Sequence, residues 1–328
     1  MSSPRNRTVT AIEGVRVGHA SDPDRGTGVT VVLFDRPARG AVDMTGMATS
    51  TRQIDSLDMM HPGIAVHGLC LAGGSAFGLD AAGGVSRWLV EQGVGLDLVV
   101  ARVPVVPTAV IFDLSFMDAA ARPTPDMAYH ACQEASRDPV QQGCVGAGTG
   151  ATCGKLRGVA NATKAGLGSS LEEGAGGVLV GALVVANPFG DILDGHGRIL
   201  AGARDGDAFL DMRRAIAGGE VRERFGSPGN TTLCILVTDA WLDKVTAMQV
   251  ARMAGQGLSR HIVPFNTPFD EDMVFCFSVG EKTANPLHVG VVAARAAAGA
   301  LMNAVAHARG MGGIPASRDL VGTVPTAG

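Results

Sequence analysis

Gly229-Asn230-Thr231-Thr232 runs without a break into Leu233-Cys234-Ile235-Leu236-Val237. An unbroken apolar run of strand length reads as a strand buried on both faces, so an apolar layer must lie on each side of its sheet. That demand selects a layered α/β fold. The loop Ser227-Pro228-Gly229 sets Thr231 at the mouth of the strand. Read structurally, Asn-Thr-Thr is a turn that feeds β-branched residues into a strand. Read chemically, Thr231 can cut its own chain. Its hydroxyl attacks the Asn230 carbonyl, an ester forms, and hydrolysis leaves Thr231 as a new N-terminal residue. The freed α-amine has a pKa of about 7.7–8.0, against about 10.4 for a Lys amine, and so can act as general base for the adjacent hydroxyl.

Further strands and helices follow the same logic. Residues 29–34 read as a strand closed by the turn signal Asp35-Arg36-Pro37. Residues 64–71 form a buried strand that passes through Ala72-Gly73-Gly74-Ser75 into a helix over 77–91. Residues 105–114, 178–186, 233–238 and 273–279 read as strands. A helix over 242–258 has Val245, Met248 and Met253 as inward candidates, and an Ala-rich helix over 286–307 is suited to close packing. Long buried strands separated by helices predict one α/β domain with helices covering its sheets.

Composition narrows the function. Among 328 residues the net charge is −4 and charged side chains make up 18%, which excludes a basic face for nucleic acid or anionic lipid. Tyr129 is the only tyrosine, so stacking platforms for bases are not expected. The six cysteines show no C-x-x-C spacing, which fits a reducing compartment. Met1 to Arg7 lacks an apolar signal core, and no run approaches the roughly 20 apolar residues of a membrane helix. A soluble cytoplasmic protein without nucleic-acid or membrane partners is expected.

Other chemistries fail on spacing. Gly146-Ala147-Gly148-Thr149-Gly150-Ala151-Thr152-Cys153-Gly154-Lys155 imitates a phosphate loop, but Thr149 stands where the first glycine belongs and Leu156 follows the lysine. The segment reads better as a turn-rich loop presenting backbone N–H groups and Lys155 to a site. The eight histidines are scattered, with no zinc spacing. Gly73-Gly74-Ser75-Ala76-Phe77-Gly78 has its glycines misplaced for a nucleophile elbow. No metal or cofactor is expected, and Thr231 carries the one coherent chemistry.

The chain resembles the self-processing L-aminopeptidase/D-esterase family, which includes β-peptidyl aminopeptidases and nylon-oligomer (6-aminohexanoate-oligomer) hydrolases. The resemblance rests on Gly14-Val15-Arg16-Val17-Gly18-His19, residues 28–32, residues 71–79, Gly148-Thr149-Gly150-Ala151, Val185-Ala186-Asn187-Pro188-Phe189-Gly190, Asn230-Thr231-Thr232 and residues 269–275, in that order. It implies an αββα sandwich, cut between Asn230 and Thr231 into an α chain (1–230) and a β chain (231–328), with four αβ units assembled into a tetramer. It implies hydrolysis of amide bonds in small peptides or amide oligomers.

By that resemblance Thr231 is the nucleophile and Asn187 the side-chain oxyanion donor. Asp270 and Asp272 match the acidic pair of the nylon-oligomer branch, with the role of holding the Thr231 amine or hydroxyl. Lys155 matches a lysine of the same branch. Phe112, Gly74 and Ser75 are candidates for the substrate pocket, and Phe112 stands where some members carry a Tyr hydroxyl. Two alternatives accompany this reading: an ornithine acetyltransferase-like acyl transferase, and an uncleaved, non-catalytic homologue.

Overall fold

A strand that is apolar on both faces must be covered twice, and this chain does so with four layers. The computed structural model describes residues 6–47, 49–63, 65–220 and 229–320; Ser227, Pro228 and Ile64 of the sequence reading lie outside them. One leaf orders the strands Leu167–Glu173, Leu179–Asn187, Thr231–Ala240, Met273–Lys282 and the second half of Thr27–Met44. All neighbours in it are antiparallel except Thr231–Ala240 with Met273–Lys282, which run parallel. The other leaf holds Val15–Asp22, the first half of Thr27–Met44, Val66–Ala72, Thr108–Val110 and Thr51–Arg52.

Thr27–Met44 therefore belongs to both leaves. Its ladder with Val66–Ala72 shifts register between Leu33 and Ala38, and pairing with Met273–Lys282 begins at Arg39. Asp35-Arg36-Pro37, expected to end a strand, instead marks this exposed crossing. The correction has a simple cause: Pro37 lacks an N–H, so it fits where the strand changes partners and no ladder bond is required. The strand expected over 105–114 is likewise short, since only Thr108–Val110 pairs.

Side-chain alternation distributes the apolar residues among three cores. Leu183, Val185, Leu233, Ile235, Met273 and Phe275 of the first leaf meet Val32, Leu69, Leu71 and Ile111 of the second. The opposite face of the first leaf, with Val184, Cys234 and Cys276, packs on the helices Lys244–Leu258 and Pro286–Ala306. The outer face of the second leaf packs on Ala82–Glu91 and Pro125–Gln133. The result is the αββα sandwich.

Two expectations about helices need correction. Val245 is 52% exposed, and the buried stripe of Lys244–Leu258 is Ala247, Val250, Ala251, Ala254 and Leu258. Helix phase turns Val245 away from that stripe, and glycine at position 257 lets the neighbouring helix come close. Pro286–Ala306, at 21 residues, is long and apolar enough to cross a membrane by length and composition, contrary to the reading of the sequence. Here its apolar stripe from Val289 to Val305 is buried against the sheet and the neighbouring helix.

The close approach is set at Gly257, where an added Cβ would lie 2.8 Å from the Ala294 Cβ. Gly257→Val is expected to force the two helices apart and lower stability by about 1–3 kcal/mol, read from chemical denaturation.

Candidate active site

Strand register brings the expected residues together. Asn187 ends one strand and Thr231 begins the next, and the two are direct partners in the antiparallel ladder. On the other side Asn230 bridges to Asp270 in parallel register. Thr231 has the same parity as Leu233 and Ile235, and Asn187 the same parity as Leu183 and Val185, so both side chains face the space between the leaves. Asn187, Asn230 and Thr231 are each 0% exposed.

Asn187 is oriented by a full set of partners. Its Oδ1 accepts from Lys155 Nζ at 2.8 Å and from the Thr152 N–H at 3.1 Å. Its Nδ2 donates to the Phe112 carbonyl at 3.2 Å. Two donors at one end and a carbonyl at the other fix which end is the amide nitrogen. One Nδ2 hydrogen is thereby committed and the second remains to serve an anion beside Thr231. Lys155 is buried and also donates to the Asn187 backbone carbonyl at 2.8 Å. The loop 146–155 thus brings one backbone N–H, that of Thr152, and the Lys155 ammonium to Asn187, while the Gly154 and Lys155 N–H groups bond the Gly190 and Phe189 carbonyls.

Phe112 contributes its carbonyl to Asn187, and its Cβ lies 3.5 Å from where a Cβ on Gly229 would stand. Gly74 and Ser75 bond the two residues that flank Phe112. The Gly74 N–H donates to Asp113 Oδ1 at 2.6 Å and the Ser75 N–H to the Ile111 carbonyl at 3.0 Å. Both take left-handed φ, 80° at Gly74 and 53° at Ser75; the second is unusual for a residue with a side chain.

Asp270 and Asp272 are buried beside the strand mouth and hold backbone there. Asp270 Oδ1 accepts from the Phe189 N–H at 3.0 Å, while Oδ2 accepts from the N–H and hydroxyl of Thr267. Asp272 Oδ1 accepts from the Thr232 N–H at 2.6 Å and Oδ2 from the Asn266 N–H at 3.1 Å. Neither carboxylate bonds the Thr231 hydroxyl, which differs from the role expected of them. Burial pushes both carboxyl pKa values up, and the proximity of the two groups adds to the rise at Asp272.

Glu271, between them, was not singled out in the sequence. Its N–H donates to the Asn230 carbonyl at 2.7 Å. Its side chain is buried beside Gly229, and burial raises its carboxyl to about 8. The signal that finds it is register. The ladder pairs Leu233 with Met273 and Asn230 with Asp270, a constant offset that sets Glu271 opposite Thr231.

Buried polar atoms normally have partners. Among the described residues five buried side-chain atoms lack one: Asn230 Oδ1, Thr231 Oγ1, Thr232 Oγ1, Glu271 Oε2 and His19 Nε2. Four of these five belong to the consecutive residues Asn230, Thr231 and Thr232 and to Glu271, which stands opposite Thr231 in the ladder.

Residues 7–318 match the model of the family described as Peptidase family S58. An uncharacterised aminopeptidase of Mycobacterium bovis is 36% identical over 348 residues, spanning 95% of this chain and 97% of the relative. A 6-aminohexanoate-oligomer endohydrolase of Kocuria sp. is 32% identical over 274 residues, spanning 82% of this chain and 74% of the relative. Among solved structures, the L-aminopeptidase D-Ala-esterase/amidase of Ochrobactrum anthropi, described as a variant of the Ntn hydrolase fold, has a TM-score of 0.73 at 20% identity. It covers 96% of this chain and 90% of that one. A Burkholderia sp. beta-aminopeptidase has a TM-score of 0.71 at 20% identity, covering 98% and 94%. Both likenesses speak to the fold.

The bonds around Asn187 generate a direct test. Asn187→Ala is expected to lower kcat on a small amide by about 100- to 1000-fold, the usual cost of one oxyanion donor. A rate near that of the wild type, measured on protein of unchanged melting temperature, would remove Asn187 from the site.

Proposed function

The chain belongs to peptidase family S58 and is a peptide- or amide-bond hydrolase, and we propose that it matures by cutting itself between Asn230 and Thr231. The observation that carries this is the unpartnered buried hydroxyl of Thr231, flanked by unpartnered atoms on Asn230 and on Glu271 opposite it, at a peptide bond whose carbonyl is already held by an N–H. A stable turn entering a strand has no reason to leave a buried hydroxyl unsatisfied.

The mature site works through Thr231. Its α-amine, near neutral in pKa once released, takes the hydroxyl proton directly or through a water, and Oγ1 attacks the substrate carbonyl. The second Nδ2 hydrogen of Asn187 meets the oxyanion, and Lys155 holds that amide in orientation while adding a nearby positive charge. The amine leaves with a proton from the Thr231 ammonium, and water hydrolyses the ester. Asp270 and Asp272 keep the strand mouth in place through their bonds to backbone N–H groups.

Small peptides or amide oligomers are the proposed substrates. The mycobacterial aminopeptidase and the Kocuria endohydrolase named above support both classes. A cytoplasmic tetramer of αβ units is proposed from the family resemblance and from the balanced, weakly acidic composition.

Intact mass spectrometry of denatured protein tests the cut. Two species, one ending at Asn230 and one beginning at Thr231, are expected from the wild type. Thr231→Ala is expected to give one intact, folded, inactive chain, and Thr231→Ser to keep cutting. Cut chains from Thr231→Ala, or a wild-type chain intact after days, would overturn the proposal.

A further inference from the structure

Cleavage and turnover cannot share a base. Turnover uses the Thr231 α-amine, but before the cut that nitrogen is an amide with no basic lone pair. Some other group must take the hydroxyl proton in the first event. We propose that Glu271 is the proton-transfer residue of self-cleavage, an inference that rests on the cut site at Asn230–Thr231.

Four observations assign it. Glu271 is opposite Thr231 in the parallel register, where neighbouring strands lie about 4.8 Å apart. Its backbone N–H already holds the oxygen of the carbonyl to be attacked, at 2.7 Å. A Cβ built on Gly229 would lie 3.3 Å from Glu271 Oε1 and 3.5 Å from the Phe112 Cβ, and Phe112 is the residue whose carbonyl binds Asn187. The carboxyl therefore lies on the Asn187 side of the sheet, the side that Thr231 faces. Finally, Glu271 Oε2 and Thr231 Oγ1 are both buried and both without a partner.

The neighbouring groups are already engaged. Asp270 accepts on both oxygens from Phe189 and Thr267, Asp272 on both from Thr232 and Asn266, and Lys155 donates twice to Asn187. Among the acids at the strand mouth, Glu271 alone has an oxygen open. Burial raises this carboxyl, Asp270 adds to the rise, and the Ser50 N–H opposes it, leaving a value of about 8. Both protonation states are then accessible near neutral pH, which suits a group that must take up a proton and return it.

The step balances. The Thr231 hydroxyl proton passes through one water to the Glu271 carboxylate as the Oγ1–C bond to Asn230 forms. The negative charge gathers on the Asn230 oxygen, against the Glu271 N–H. Collapse breaks the bond between the Asn230 carbon and the Thr231 nitrogen, and the proton returns from the Glu271 acid to that nitrogen, giving an amine and an ester. A second water then adds to the ester carbonyl, releasing the Thr231 hydroxyl and the Asn230 carboxyl. The backbone N–H of Glu271 serves the oxyanion whatever side chain is present, so the side chain can be tested alone.

The experiment follows the full chain made in a cell-free reaction, sampled over time and resolved by intact mass. Glu271→Gln matches the shape of the protonated acid, so a melting temperature near that of the wild type is expected. Its cutting is expected to slow by about 100-fold or more. Glu271→Asp, which keeps an acid, is expected to cut faster than Glu271→Gln. Glu271→Gln protein collected after it has finally matured is expected to hydrolyse a small amide within about five-fold of the wild type, because the α-amine has taken over as base. Cutting of Glu271→Gln at the wild-type rate would overturn the proposal, as would Glu271→Asp cutting no faster than Glu271→Gln. Wild-type protein that stays intact, or is cut elsewhere, would instead overturn the underlying cut site.

Discussion

The site depends on the register between three strand ends. A strand shows alternate side chains to opposite faces, so a slip of one residue would turn Thr231 from the gap between the leaves to the helix side. Two independent ladders forbid that slip. The antiparallel ladder fixes Asn187 against Thr231, and the parallel one fixes the 230 and 270 segments. Each is locked by apolar cores on both faces, so displacing Thr231 would carry Leu233, Ile235 and Val237 out of the inter-leaf core with it.

Burial gives this frame its electrostatic character. Three consecutive acids, residues 270–272, are each at most 5% exposed, together with Lys155 at 2%. Isolated charges in such surroundings would cost several kcal/mol each, so they persist only with partners or by changing protonation state. Asp270 and Asp272 take the first course and are spent on backbone N–H groups, so they fix the position of the strand mouth more than they act on it. Glu271 has one oxygen without a partner, and burial pushes its carboxyl toward the neutral form.

Much of this was legible in the sequence where chemistry is local. The runs over 178–186 and 233–237 are apolar at every step, which only a strand covered on both faces tolerates. Thr231 followed from the residues at the mouth of its run, and Asn187 from the family resemblance. What stayed hidden depends on pairing. Asp35-Arg36-Pro37 has turn chemistry, yet the strand passes through it, because changing sheet partners needs the same missing N–H that a turn does. Val245 is hydrophobic, but helix phase turns it away from the buried stripe of Ala247, Val250, Ala251, Ala254 and Leu258. Glu271 has no motif of its own, and its relation to Thr231 exists only once two segments forty positions apart are set in parallel. Pro286–Ala306 has a membrane-like composition and becomes a core helix because a sheet face is present to receive it.

The strand Thr231–Ala240 lies in the middle of its leaf, between Leu179–Asn187 and Met273–Lys282, which itself adjoins Thr27–Met44. The two strands that follow residue 230 are therefore inserted as a pair between strands that precede it. A break in the backbone there, as proposed, would leave the folded body held by ladder bonds and three cores, but would change what it means to unfold. The intact chain returns to this arrangement as a unimolecular event with the loop closed in advance, whereas two separated pieces must first find each other and then thread a central strand between partners already formed. Such a molecule keeps its structure through the slowness of leaving it, a persistence in time more than a balance of free energies.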